Sequence, residues 1–350
     1  MQLTEVMDLA QYGEGINDQT LFGLHFTGHD LAAMSFDQVV FERCHFEAVN
    51  LDETRFLACR FIDVLWQECQ LKETTWSDCH LERACFIACD LTHSSWLNGS
   101  APALQLTDCN LTHTVVHGTD LTAACFKRSV VEQVVLYQTC LNQAQFIDIF
   151  LSEFTFFRVD LRQVIWTTVS AEKTVFLECD LSKLNWQGMS LPHSQFIDCA
   201  MSGIRLAHAH LQQSSFKGCQ LAGASFDGAQ ADLCLFPQAM LEEASFIGAR
   251  LAHTLWLRCQ ANGAKWDQAQ LYQAVFHYAV APTATFIQAR LQEADFSYAV
   301  LLGADFDQAH FSRTKFHAAV MDASAVKHHP QVLAQDQELY EAELWSQQFL

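Results

Sequence analysis

This sequence predicts an all-β solenoid, a chain coiled on itself with a tight turn every five residues. Three observations predict it. Every fifth residue from Leu21 to Val326 is apolar, 62 positions in 62, although only half of the chain is apolar. Of the 31 such positions whose numbers end in 6, 26 are Phe or Trp, and of the 31 ending in 1, 20 are Leu, so the sequence unit is ten residues. Two residues before each position the chain prefers something small: ten in succession, Ala264 through Ala309, are all Ala. A period of five fits neither a 3.6-residue helix nor a two-residue strand alternation. It sends two side chains inward, one large and one small, and three outward.

No insertion breaks the beat, so residues 21–326 form one array rather than several domains. Fourteen Gly and five Pro in 350 residues leave little ordinary turn punctuation. Eleven of the fourteen Cys occupy the small position (Cys44, Cys59, Cys69, Cys79, Cys89, Cys109, Cys179, Cys199, Cys219, Cys234 and Cys259). The position accepts Ala, Ser, Thr and Val as well, so these Cys read as small apolar filler and not as metal ligands or disulfides.

The pattern A-(D/N)-L-x-x, written here as "CDL" at 89–91 and 179–181, "TDL" at 119–121, "CNL" at 109–111 and "ADF" at 294–296 and 304–306, resembles the pentapeptide-repeat proteins over residues 21–326. The resemblance implies a right-handed quadrilateral β-helix with twenty residues per coil and about 15 coils. At about 4.8 Å per strand layer the rod would be roughly 75 Å long. Residues twenty apart would stack, so Phe176, Phe196, Phe216 and Phe236 are expected in one aromatic ladder, and His93 over His113 on an outer face.

The ends and the middle depart from the beat. Both rod ends are open sheet edges that need covering, and residues 1–20 are expected to cap one. Residues 327–350 read as a C-terminal α-helix with Pro330 at its first position. Its apolar residues, Leu339, Tyr340, Leu344, Trp345 and Phe349 among them, form a cap or a homodimer contact; in several pentapeptide-repeat proteins this end dimerises. Between 134 and 204 the small position holds Val134, Ile149, Phe154, Val159, Val164, Val169, Leu184, Met189 and Ile204. That predicts a wider or locally irregular coil, or an apolar contact patch at Phe150, Phe154 and Phe157.

Charge and chemistry restrict function. The net charge is −20; residues 1–100 carry 16 acids against 5 bases, whereas residues 201–300 carry 7 against 6. Such a balance argues against direct nucleic-acid binding. The sequence contains no P-loop, GxGxxG, nucleophile elbow, HExxH or paired CxxC. A filled solenoid offers no substrate cavity, so an enzyme is not expected, and neither a cofactor nor a metal. There is no run of eighteen apolar residues and no signal-like N-terminus. The expectation is a cytoplasmic protein, with secretion by a route needing no cleavable signal left open.

Two functions remain. The first is a non-enzymatic protein-binding rod or scaffold, of the kind found among secretion-associated accessory or effector proteins. The alternative, implied by the resemblance, is a DNA mimic acting on a type II topoisomerase such as gyrase. Its contact would be an acidic N-terminal patch of Asp52, Glu53, Asp63, Glu68, Glu73, Asp78 and Glu82. A 75 Å duplex carries about 44 phosphates, against 20 net charges here.

Overall fold

The computed structural model describes residues 1–322 and 325–347. The chain forms two compact units, Met1–Asp180 and Leu181–Leu350, each a parallel β-solenoid with a register of twenty. Helix α1 (Leu3–Tyr12) opens the first unit. Glu5 accepts from the Gln2 N–H at 2.6 Å, and Gly13 ends the helix in the left-handed conformation. Val6 on α1 is fully buried. The first coil starts earlier than the sequence beat suggested: Ile16–Asn17 already pairs with Phe36–Asp37.

Coils in the first unit have four walls. One carries strands Ser35–Asp37, Arg55–Leu57, Thr75–Ser77, Ser95–Leu97, Val115–His117, Val135–Tyr137, Thr155–Phe157 and Val175–Leu177, each paired to the next. The opposite wall runs from His25–Thr27 through Leu65–Gln67 and Cys85–Ile87 to Cys125–Lys127. Two residues after the inward side chain, the chain turns nearly every corner with φ between 48° and 71°. Most corner residues are not Gly, and left-handed backbone costs such residues roughly 1–2 kcal/mol. The cost is offset where the corner N–H finds the next coil: Glu53 donates to the Lys72 carbonyl at 2.7 Å and Asp78 to Leu97 at 2.9 Å.

Two columns of stacked rings run through the core. Phe26, Phe46, Trp66 and Phe86 stack at 4.6, 5.7 and 4.3 Å. The column from the facing wall meets them edge-on, as Trp66 meets Trp76 at 5.8 Å and 83°. Leu106, Val116 and Leu136 interrupt both columns, and a void of about 10 Å³ lies among Trp96, Leu104, Leu106, Val116 and Phe126. The small position proves less inert than filler. Cys59 Sγ lies 3.3 Å from the Phe36 carbonyl and 3.4 Å from that of Leu57, and Thr54 Oγ1 donates to the Leu31 carbonyl at 3.0 Å. The slot thus faces carbonyls two and twenty-three residues back, which suits Cys, Ser and Thr alike.

Oversized small-position residues do distort the coil. Phe154 is buried, with its ring 4.5 Å from that of Phe156. Beside it the short strands merge across a corner into Gln145–Ser152 and Ile165–Glu172, paired along their length.

In the second unit most walls shrink to single bridges such as Ser225↔Ser245, because nearly every corner is a closed turn. Ala224 N–H donates back to Leu221 O at 3.0 Å, and the following corners repeat this. Pro at the second turn position (Pro192, Pro237, Pro282) with positive φ at the third is the type II pattern. Phe196, Phe216 and Phe236 stack at 4.8 and 4.9 Å as expected, continuing through Trp256 and Phe276.

The C-terminal segment differs from expectation. Val326 lies in a 3-10 turn, Ala325–His328, not in a further coil. Val332–Leu333 pairs with Thr314–Lys315, and among the described residues helix α2 spans Gln337–Gln347. Its N-cap is Asp336, whose carboxylate accepts from Leu339 N–H at 3.3 Å, so Pro330 is not its first residue. Polar contacts hold it: Glu343 accepts from the Tyr298 hydroxyl and pairs with buried His317 at 3.2 Å, while Lys315 meets Asp336 at 2.7 Å. Leu339 is half-buried, but Tyr340, Leu344 and Trp345 are exposed, Trp345 by 65%. Phe349 lies outside the described residues.

Candidate protein-binding face

The register of twenty decides which outward side chains are neighbours. Applied to the expected acidic patch, it scatters the patch. Asp63, Glu68, Glu73 and Asp78 are consecutive corner residues, all with positive φ, so each occupies a different corner of the same coil. Glu53 shares a corner column with Glu73, while Asp52 and Glu82 lie on separate walls. Three of the seven are also engaged locally. Arg83 contacts Asp63 at 2.7 Å and Glu82 at 2.7 Å, and Asp52 accepts from the Lys72 backbone N–H at 2.8 Å. The seven residues do not converge on one surface.

Elsewhere on the corner columns, opposite charges meet one coil apart. Arg128 pairs with Asp108 at 2.7 Å, Lys173 with Glu153 at 3.5 Å and Arg158 with Glu178 at 2.8 Å. The hydrogen bond from Arg83 holds the Asp63 carboxyl below its ordinary range, and Arg128 does the same for Asp108. These pairs are exposed, so each contributes little to stability. Other corners stack rings: His93 lies over His113 at 4.5 Å.

The apolar patch also resolves differently. Phe154 is 1% exposed and belongs to the core, since its position sends the side chain inward. Phe150 is 52% exposed but points from another wall, in register with Ser170. Phe157 joins a different group. His117, Tyr137 and Phe157 stack on the outer surface at 4.7 and 4.6 Å, with the Arg158 guanidinium 4.9 Å from the Phe157 ring centre.

That outer stack lies on a wall without charge. From Thr75–Ser77 to Val175–Leu177 six strands pair in register. Their outward residues form two columns: Thr75, Ser95, Val115, Val135, Thr155 and Val175; and Ser77, Leu97, His117, Tyr137, Phe157 and Leu177. No Asp, Glu, Lys or Arg stands among these twelve, in a chain of net charge −20. Val115 is 39% exposed and the rest half-buried by their column neighbours. The opposite wall, over the same coils, carries Lys127. Sequence reading found Phe157 but missed its partners, which are twenty residues away; writing the sequence in rows of twenty would have shown the column.

Chemistry elsewhere is sparse. Among the described residues no group of three or more His, Cys, Asp or Glu is placed to hold a metal ion, all fourteen Cys are free thiols, and no helix is long and apolar enough to cross a membrane. Burial pushes the Cys234 and Cys259 thiols up to about 12.

Comparisons with known proteins agree with this architecture. Two family models match, a pentapeptide repeat region at residues 20–96 and 164–246 and pentapeptide repeats in eight copies at residues 284–322. No curated protein matches significantly. Similar solved structures include HetL, a pentapeptide repeat protein involved in heterocyst differentiation regulation from the cyanobacterium Nostoc, 19% identical over 74% of this chain and 92% of that one, with a TM-score of 0.24. QnrB1, a plasmid-mediated fluoroquinolone resistance protein, is 18% identical over 63% of this chain and 90% of its own, with a TM-score of 0.25. The Rfr23 pentapeptide repeat protein of the cyanobacterium Cyanothece is 14% identical over 37% of this chain and 98% of that one, with a TM-score of 0.24. With its five-residue beat, its register of twenty and its matches to both family models, the chain belongs to the pentapeptide repeat family.

Proposed function

We propose that this protein is a non-enzymatic binding rod, and that the uncharged wall from Thr75 to Leu177 is the surface on which a protein partner docks. The observation that carries this reading is the composition of that wall: twelve neighbouring outward residues without a formal charge, including a three-ring outer stack. Aromatic residues are enriched where partners bind, and the equivalent outward positions of the opposite wall, over the same coils, carry no ring. The topoisomerase-mimic reading needs acids gathered in one place, whereas the coil register distributes Asp63, Glu68, Glu73 and Asp78 over four corners.

Affinity capture from the native host at low and raised salt tests the proposal. A partner retained at high salt and lost with Val135→Lys fits an apolar contact. Recovery of gyrase or topoisomerase IV subunits that dissociate as salt rises would overturn it, because screening weakens exposed charge contacts.

A further inference from the structure

We infer that the occupant of the uncharged wall is a single amphipathic α-helix of the partner, laid along the rod axis; this rests on the binding reading above and names the partner element. The wall's dimensions lead there. Three-residue strands give it a width of about 10 Å, and six strands about 4.8 Å apart give it a length of roughly 29 Å. The flat area is therefore about 300 Å², well below the roughly 800 Å² per partner of a stable protein dimer. A second copy of this rod, or any broad globular face, would have to extend onto the charged corners at Glu153, Lys173, Arg158 and Glu178.

A helix is about 10–12 Å across and advances 1.5 Å per residue, so about 19 residues would cover the wall. The surface is also ridged for it. The Val115–Val135–Val175 column and the His117–Tyr137–Phe157 column stand two residues apart along each strand, about 6.6 Å, leaving a shallow channel parallel to the axis. One helical turn climbs 5.4 Å and one coil about 4.8 Å, so an apolar stripe at three- and four-residue spacing meets successive coils. An added β-strand has no such fit. The backbone groups of this wall are engaged between coils, and side chains on one face of a strand recur about every 6.6 Å, out of step with the coils.

Photo-crosslinking reads this spacing directly. A benzophenone amino acid would replace Val115, Val135 or Val175 in the full chain, expressed in the native host, with Gln105 on the opposite wall as control. Crosslinked partner peptides are then mapped by mass spectrometry. From Val115 to Val135 is one coil and from Val135 to Val175 two, so the attachment points on a helix should lie about 3 and about 6–7 residues apart in the partner. Steps of about 1–2 and 3 residues, as for an extended segment, or attachment to non-contiguous segments, would overturn the helix while leaving the binding wall standing. Crosslinks at Gln105 alone, or at none of the four sites, would overturn both.

Discussion

Trp76 donates its indole N–H to the Thr74 hydroxyl two residues earlier, at 3.0 Å, inside a fully buried core. Trp96 does the same with Ser94 at 3.2 Å and Trp256 with Thr254 at 2.8 Å. In two units whose small position is apolar the donor goes without: Trp66 follows Val64 and Trp266 follows Ala264, and neither indole nitrogen has a partner. The large and small inward positions are therefore coupled within a single five-residue unit.

Thr74→Val should destabilise the protein by about 1–3 kcal/mol, because it leaves a buried donor unsatisfied. Val64→Thr should move stability the other way, by about 1 kcal/mol, by giving Trp66 an acceptor. Urea unfolding of both variants checks the pair. Destabilisation by Val64→Thr would show that burying the hydroxyl costs more than the hydrogen bond to Trp66 returns.

Filling the void at the interrupted ring columns should also stabilise. Leu106→Phe places a ring between Phe86 and Phe126, which share its column. Stacked neighbours add roughly 0.5–1.5 kcal/mol per pair, set against overpacking costs of about 1–3 kcal/mol where space is short. Removing a ring already stacked, as in Phe146→Ala, should cost about 3–5 kcal/mol. Thermal melts of the two variants should shift in opposite directions.

Acid should release α2 before it unfolds the coils. Hydrogen bonds from Tyr298 and His317 lower the pKa of Glu343, and Lys315 lowers that of Asp336. Groups with depressed folded values stabilise above the ordinary carboxylate range, near 4, and that contribution disappears as the pH falls through the lower folded values. Hydrogen exchange at Gln337–Gln347 should therefore rise as the pH falls below the ordinary carboxylate range while exchange in the ring-stacked coils stays slow. In Glu343→Gln the helix should exchange faster already at pH 7. An unchanged helix in that variant would contradict the anchoring role.

Thiol labelling should separate the cysteines by position. Cys140 is exposed and should react at once, and Cys85 and Cys125, partly buried, more slowly. The eleven in the small position should stay silent until unfolding; burial raises Cys234 and Cys259 to about 12, leaving almost no thiolate to react. More than three thiols labelled in the native protein would contradict the packing described.

The fold was legible because it is written on inward positions, and a strict period makes each of those recognisable alone. Leu21 and Phe26 announce the beat without reference to distant residues. The surface is written differently. Asp52 through Glu82 are close in sequence, but the coil sends consecutive corner residues to different corners, so sequence proximity does not make them neighbours. Tyr137 touches His117 and Phe157, each twenty residues away, and no local motif marks that column. Phe154 failed for the opposite reason: its phase was inward, and its size distorted the wall instead of expelling it. At the C-terminal end Pro330 suggested a helix start, but the last coil still offered an open edge at Thr314–Lys315, and Val332–Leu333 paired there first.

The most direct test compares two variants for binding to the partner captured from the native host. Val135→Lys with Tyr137→Glu alters only the uncharged wall; Glu68→Lys, Glu73→Lys and Asp78→Lys reverse three corners. Both sets point outward, so circular dichroism should show an intact solenoid in each. The account predicts at least about tenfold weaker binding for the wall variant and unchanged binding for the corner variant. Loss of binding in the corner variant, with the wall variant unaffected, would contradict it.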